Sequence, residues 1–117
     1  MAVYISDVTQ VIERLELFEE KAGVRLEALS GSLQVAQSLG VNHLTIYGEL
    51  HPREGATLPR NVELVVTVYD SSGRVIGVQS HHFFQERFFG FEAFSIHVFN
   101  LIEQPTRVRV YPKSLEF

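Results

Sequence analysis

Five histidines, His43, His51, His81, His82 and His97, are the side chains of this chain best suited to metal ligation or to proton transfer near neutral pH. Their spacing limits what they can do together. On one extended strand His43 and His51 face the same side but stand about 27 Å apart. His81 and His82 are neighbours and point to opposite faces if extended. One of them could meet His97 from an adjacent strand, but no His-x-His or His-Glu-x-x-His motif sets such a geometry. Exposed or hydrogen-bonded imidazoles are the expectation, with no metal ligands and no cofactor. The chain has no cysteine, which removes disulfides, thiol catalysis and every cysteine-containing metal site. It has no Gly-x-Ser-x-Gly elbow and no phosphate-cradling glycine loop. Asp70 falls in a turn, where a carboxylate normally holds the loop's own backbone. Glu19 and Glu20 read as part of a solvated helix face. No catalytic residue is identified, and a non-enzymatic protein is expected.

The aromatic residues are concentrated instead. Seven of the nine phenylalanines lie between positions 83 and 99. Neighbours such as Phe83/Phe84 and Phe88/Phe89 cannot both point inward on a strand, so one ring of each pair should face out. A buried ring contributes about 1.5–3 kcal/mol, whereas exposed rings gathered together form an apolar patch. Such a patch suits a partner chain or a second copy of the same chain. Phe83, Phe84, Phe88, Phe89 and Phe91 are therefore the candidate interaction residues, and replacing Phe88 and Phe89 with Ser should weaken self-association in a folded domain. The alternative is that the same segment lines a cleft for a small ligand or a carbohydrate.

Charge narrows the partners. Fourteen acidic residues against ten basic ones give a net charge of −4, a poor match for the basic face of a nucleic-acid binder. Arg107 and Arg109 alternate with Val108 and Val110 and precede Tyr111 and Lys113, a pattern read as the water-facing row that guards a sheet edge. Asp7 interrupts the start of the chain, no Lys or Arg precedes Arg14, and no apolar run reaches membrane-spanning length. Neither nucleic acid nor membrane is expected as a partner, and a cytoplasmic location is.

The elements that must position these residues follow from periodicity. From Ser6 to Gly23 the residues Val8, Val11, Ile12, Leu15, Phe18 and Ala22 share one stripe of a helix, with Gly23 just past its end. The segments Arg14–Phe18 and Val24–Ala28 also alternate, so a hairpin turning at Glu20–Gly23 is the other possibility. Val24–Leu29 reads as a strand and Ser30-Gly31-Ser32 as a break. Leu33–Leu39 fits either type, and Gly40 and Asn42 mark a turn. From His43 the period is two, with Leu44, Ile46 and Leu50 on one face, followed by a loop over 51–61. Val62–Tyr69 is the strongest strand, Asp70–Gly73 a turn, and Arg74–Ser80 a returning strand with a bulge at Gly77. Phe94–Phe99 and Thr106–Tyr111 complete the set. The organisation expected is a single domain over 1–117. A helical or hairpin segment, residues 1–23, packs on an antiparallel β-sandwich of about 24–112. A chain of 117 residues can bury roughly two-thirds of its surface without a disulfide or metal staple.

Tyr47-Gly48-Glu49-Leu50 at the end of one strand, then Val66-Thr67-Val68-Tyr69-Asp70 with Gly73 and Val75, is similar to the FxLYD-type families. Phe91-Glu92-Ala93-Phe94-Ser95-Ile96 adds a Phe-rich approach to the next strand that looks like theirs. The resemblance covers roughly residues 43–111. It implies a small bacterial immunoglobulin-like sandwich without catalytic residues. An Asn usually follows the first strand in those families, whereas His51-Pro52 stands here, and residues 1–40 have no counterpart.

Overall fold

Alternation of apolar and polar residues governs most of the chain in its computed structural model, which describes residues 3–36 and 40–115. The elements run β1 (Val3–Asp7), β2 (Ile12–Arg14), α1 (Glu16–Ala22), β3 (Val24–Ala36), β4 (Val41–Pro52), β5 (Asn61–Tyr69), β6 (Val75–Phe83), β7 (Glu92–Leu101) and β8 (Arg107–Leu115). Short 3-10 turns at Thr9–Val11 and Gln85–Arg87 join some of them. The fold is mainly β, in two four-stranded sheets of order β1-β3-β4-β7 and β2-β8-β5-β6. Every pairing is antiparallel except β2 with β8, which is parallel. Inward positions on both sheets feed one core. It takes Leu26 and Leu33 from β3, Leu44, Ile46 and Leu50 from β4, Leu64, Val66 and Val68 from β5, Ile96 and Val98 from β7, and Val108 and Val110 from β8. Among the described residues no helix is long and apolar enough to cross a membrane.

The N-terminal segment departs from both expectations. The Asp7 carboxylate accepts hydrogen bonds from the Thr9 amide, at 2.9 Å, and from its hydroxyl. That turn stops β1, and the chain then leaves one sheet for the other, where Ile12–Arg14 aligns beside β8. Helix forms only over Glu16–Ala22, seven residues, and ends at Gly23 with φ of 75°. This left-handed position is the one glycine occupies without strain. No hairpin forms here either, because β2 and β3 belong to different sheets.

Glu19 is not on a solvated face. It is completely buried, and the Arg14 guanidinium donates to both of its carboxylate oxygens. The Leu26 amide donates to Oε1 at 3.0 Å. One carboxylate thus ties α1 to β2 and β3.

Ser30-Gly31-Ser32 is no break. β3 continues through it for 13 residues, and the irregularity sits earlier, between Glu27 and Ser30, where Ala28 has φ of 56°. Gly31 lies at a close approach, since a Cβ there would stand 3.2 Å from a Val8 methyl, tighter than ordinary contact, and 3.4 Å from Ile12 and Ile46. Residues 37–39 of the ambiguous stretch lie outside the described residues. Arg107 and Arg109 do not guard an edge, because β8 runs between β2 and β5. Both guanidiniums instead meet Glu13 of β2, at 3.6 and 3.5 Å.

The Asp70 turn behaves as its composition predicts. Asp70 Oδ1 accepts from the Arg74 amide, the Ser72 amide and the Ser72 hydroxyl at 2.9, 2.9 and 2.7 Å. These bonds, the Arg74 amide first, hold the carboxyl below its ordinary value of 3.8. A carboxyl lowered in the folded state adds stability at neutral pH that disappears as pH falls through its folded value. Asp70→Asn should therefore lower Tm at pH 7, and thermal melts in acid should show the gap from wild type narrowing below about pH 4. A gap independent of pH would assign the effect to shape and not to charge.

Candidate functional site

The candidate aromatic segment begins where β6 ends. The two-residue period turns Phe83 inward and Phe84 outward. Phe83 is 1% exposed, and its ring meets those of Phe88 and Phe94 edge-on at centroid distances of 6.3 and 6.2 Å. The 3-10 turn that follows is anchored by Asn61 Oδ1, which accepts from the Gln85 amide at 2.8 Å. It returns the chain so that Phe88 enters the core. Arg87 lies over the exposed Phe84 ring at 5.8 Å. Phe89 is 78% exposed. The Gly90 amide then donates to the Ala56 carbonyl at 2.7 Å, fastening the connection to the loop after β4. Phe91 stacks on His51, with centroids 5.1 Å apart and planes 7° from parallel.

The five candidates therefore divide. Phe83 and Phe88 are core residues, and Phe84, Phe89 and Phe91 are on the surface. The expectation that Phe88 can become Ser in a folded domain is corrected by its burial; Phe89 alone is the substitution that spares the core.

The sheet edge beside this segment is more distinctive. β6 pairs with β5 on one side and is outermost in its sheet. Val78, Ser80, His82 and Phe84 share its outward row, and Val75 and Val78 are exposed. A register shift opposite Val68 and Tyr69 bends its first residues, at the bulge expected near Gly77. From Val75 to Phe83 there is no Asp, Glu, Lys, Arg or Pro. The other outermost strands carry charge: Asp7 in β1, Glu13 and Arg14 in β2, and Glu92 in β7.

The histidines form a pair that the sequence reading missed. Thr45 of β4 stands opposite His97 of β7, and His43 projects from the same outer face. His43 Nε2 lies 3.1 Å from His97 Nδ1. The Thr45 hydroxyl is 3.1 Å from His97 Nδ1 and 3.4 Å from His43 Nε2. Phe99 stacks on both rings, at 4.3 and 5.8 Å. Burial, and then the adjacent His97, lower the His43 imidazole below its ordinary value of 6.5. The sequence allowed His97 to meet His81 or His82. The register of β7 against β4 brings His43 instead, and the only sequence signal was that both residues fall out of phase with the inward Leu44, Ile46, Ile96 and Val98. His51 is held between Glu49 and Glu27, at 2.9 and 3.1 Å, and His82 meets Glu63 at 3.1 Å. Among the described residues no group of three or more His, Asp or Glu is placed to hold a metal ion.

Clefts of about 320 and 460 Å³ flank α1. The first is lined by Phe18, Lys21, Ala22, Pro112, Lys113 and Ser114, the second by residues around Arg53 and Leu58. None of the five candidate phenylalanines lines either cleft. Comparison with protein-family models, with curated proteins and with solved structures finds no match to this chain.

Proposed function

We propose that this chain is a non-catalytic interaction module of the immunoglobulin-like, FxLYD-type class, acting in the bacterial cytoplasm and self-associating through strand β6. The observation that carries the reading is the uncharged, singly paired edge from Val75 to Phe83. Natural sheet edges are usually blocked by charge, proline or a bulge, because unpaired backbone groups recruit another strand. β6 keeps a bulge at its start and has no blocking residue beyond it. A two-fold antiparallel pairing of one β6 with another sets the strand against its own reversed sequence, so a charge near the two-fold axis would meet its like. β6 has none, which suits it to a second copy. Phe84 and Phe89, exposed just beyond the strand, extend the apolar contact.

Support for the immunoglobulin-like class comes from strand order. With β1 and β2 set aside, β3-β4-β7 and β8-β5-β6 follow the A-B-E and F-C-C′ neighbours of that sandwich. β2 then takes the place of strand G, in parallel and not antiparallel. The small-ligand reading lacks equivalent support, since the aromatic segment lines neither cleft beside α1.

Sedimentation velocity tests the self-association. Wild type should show a concentration-dependent dimer. Val78→Lys should weaken it at least about tenfold by placing a charge on the uncharged edge, with no change in the urea midpoint at low protein concentration. A wild type that stays monomeric at several hundred micromolar rejects the proposal.

A further inference from the structure

We infer that His43 and His97 form a two-imidazole site for a divalent transition-metal ion from the nickel–copper–zinc end of the first row, with water completing the coordination. The spacing of the two ring nitrogens is the first reason. At a metal–nitrogen distance of about 2.1 Å, two ligands 90° apart place their nitrogens about 3.0 Å from each other, and two tetrahedral ligands about 3.4 Å. His43 Nε2 and His97 Nδ1 are 3.1 Å apart, between those limits.

Availability is the second. His51 and His82 are committed to Glu27, Glu49 and Glu63. Among the described residues His43 and His97 have no carboxylate partner, only each other and the Thr45 hydroxyl. Rigidity is the third. The rings project from hydrogen-bonded neighbouring strands, and Phe99 packs against both, so little ordering remains to be done when an ion arrives. Without metal the two rings share one hydrogen bond. With it, His43 carries its proton on Nδ1 and His97 on Nε2, leaving the facing lone pairs to the ion. Thr45 Oγ1, within 3.4 Å of both nitrogens, stands where it can accept from a metal-bound water. Imidazole nitrogen selects nickel, copper and zinc over magnesium or calcium. This revises the expectation of no metal ligands, which weighed His97 with His81 or His82 across strands and not with His43.

Isothermal titration of the full chain with zinc and with copper(II), beside His43→Gln, His97→Gln and His81→Gln, tests the site. One ion per wild-type chain is expected, with affinity falling at least about tenfold in each of the first two variants and unchanged in the third. Copper(II) bound to wild type should show two coordinated nitrogens by electron paramagnetic resonance. Should either variant fail to fold, ring-nitrogen NMR of wild type serves alone: zinc must move the His43 and His97 signals first. Equal affinity in wild type and in His43→Gln, loss in His81→Gln, or unmoved His43 and His97 signals would overturn the inference.

Discussion

Phe83→Ala should destabilise the domain by about 4 kcal/mol, within the range for emptying a buried Phe site. The ring is among the largest wholly buried side chains, and it joins Phe88 from the connection and Phe94 from β7. Removing it leaves a cavity that two other rings cannot fill without leaving their own contacts. A domain of this size commonly has only about 5–15 kcal/mol of stability, so the variant should lose much of its margin. Urea unfolding should show a lower midpoint with an unchanged slope, the signature of lost stability in an unaltered unfolded state. Phe89→Ser, nearby and 78% exposed, should change stability by no more than about 0.5 kcal/mol. If the two substitutions cost the same, the assignment of Phe83 to the core fails.

Arg14→Ala should cost about 3 kcal/mol, the lower end of the range for breaking a buried pair, because Arg14 itself is partly exposed. The loss comes from what is left behind. Glu19 would stay completely buried with the Leu26 amide as its remaining donor. The surface pair Arg25–Glu27 offers the contrast, since both side chains are nearly half exposed and such pairs contribute less than about 1 kcal/mol. Arg14→Met combined with Glu19→Leu should recover most of the loss by removing both charges together. Denaturant midpoints of the four proteins decide it. Arg14→Ala no more costly than Arg25→Ala would show that the Glu19 clamp does not hold α1.

How much of this was legible in the sequence depends on how local each feature is. Val62–Tyr69 announced β5 through its period of two and its β-branched residues, and Gly23 marked the end of α1. The stripe Val8, Val11 and Ile12 does pack against the core, as a helical reading required. Its conformation is different because the chain there passes from one sheet to the other, a tertiary demand no local period reports. The rule that neighbouring phenylalanines face opposite ways held at both pairs, but which ring went inward depended on the register that sets Phe83 opposite Val62. Arg107 and Arg109 alternate as a solvent-facing row should. That β2, from the far end of the sequence, would cover that side of β8 was not written in their spacing. His43 and His97, 54 positions apart, meet only through the pairing of β4 with β7.

Amide hydrogen exchange along β6, followed at low and at high protein concentration, tests the proposed pairing most directly. If β6 joins a second β6, the amides from Val78 to Phe83 that face away from β5 should exchange more slowly as concentration rises, while those of β1 keep their rates. Exchange along β6 that is the same at every concentration would contradict it.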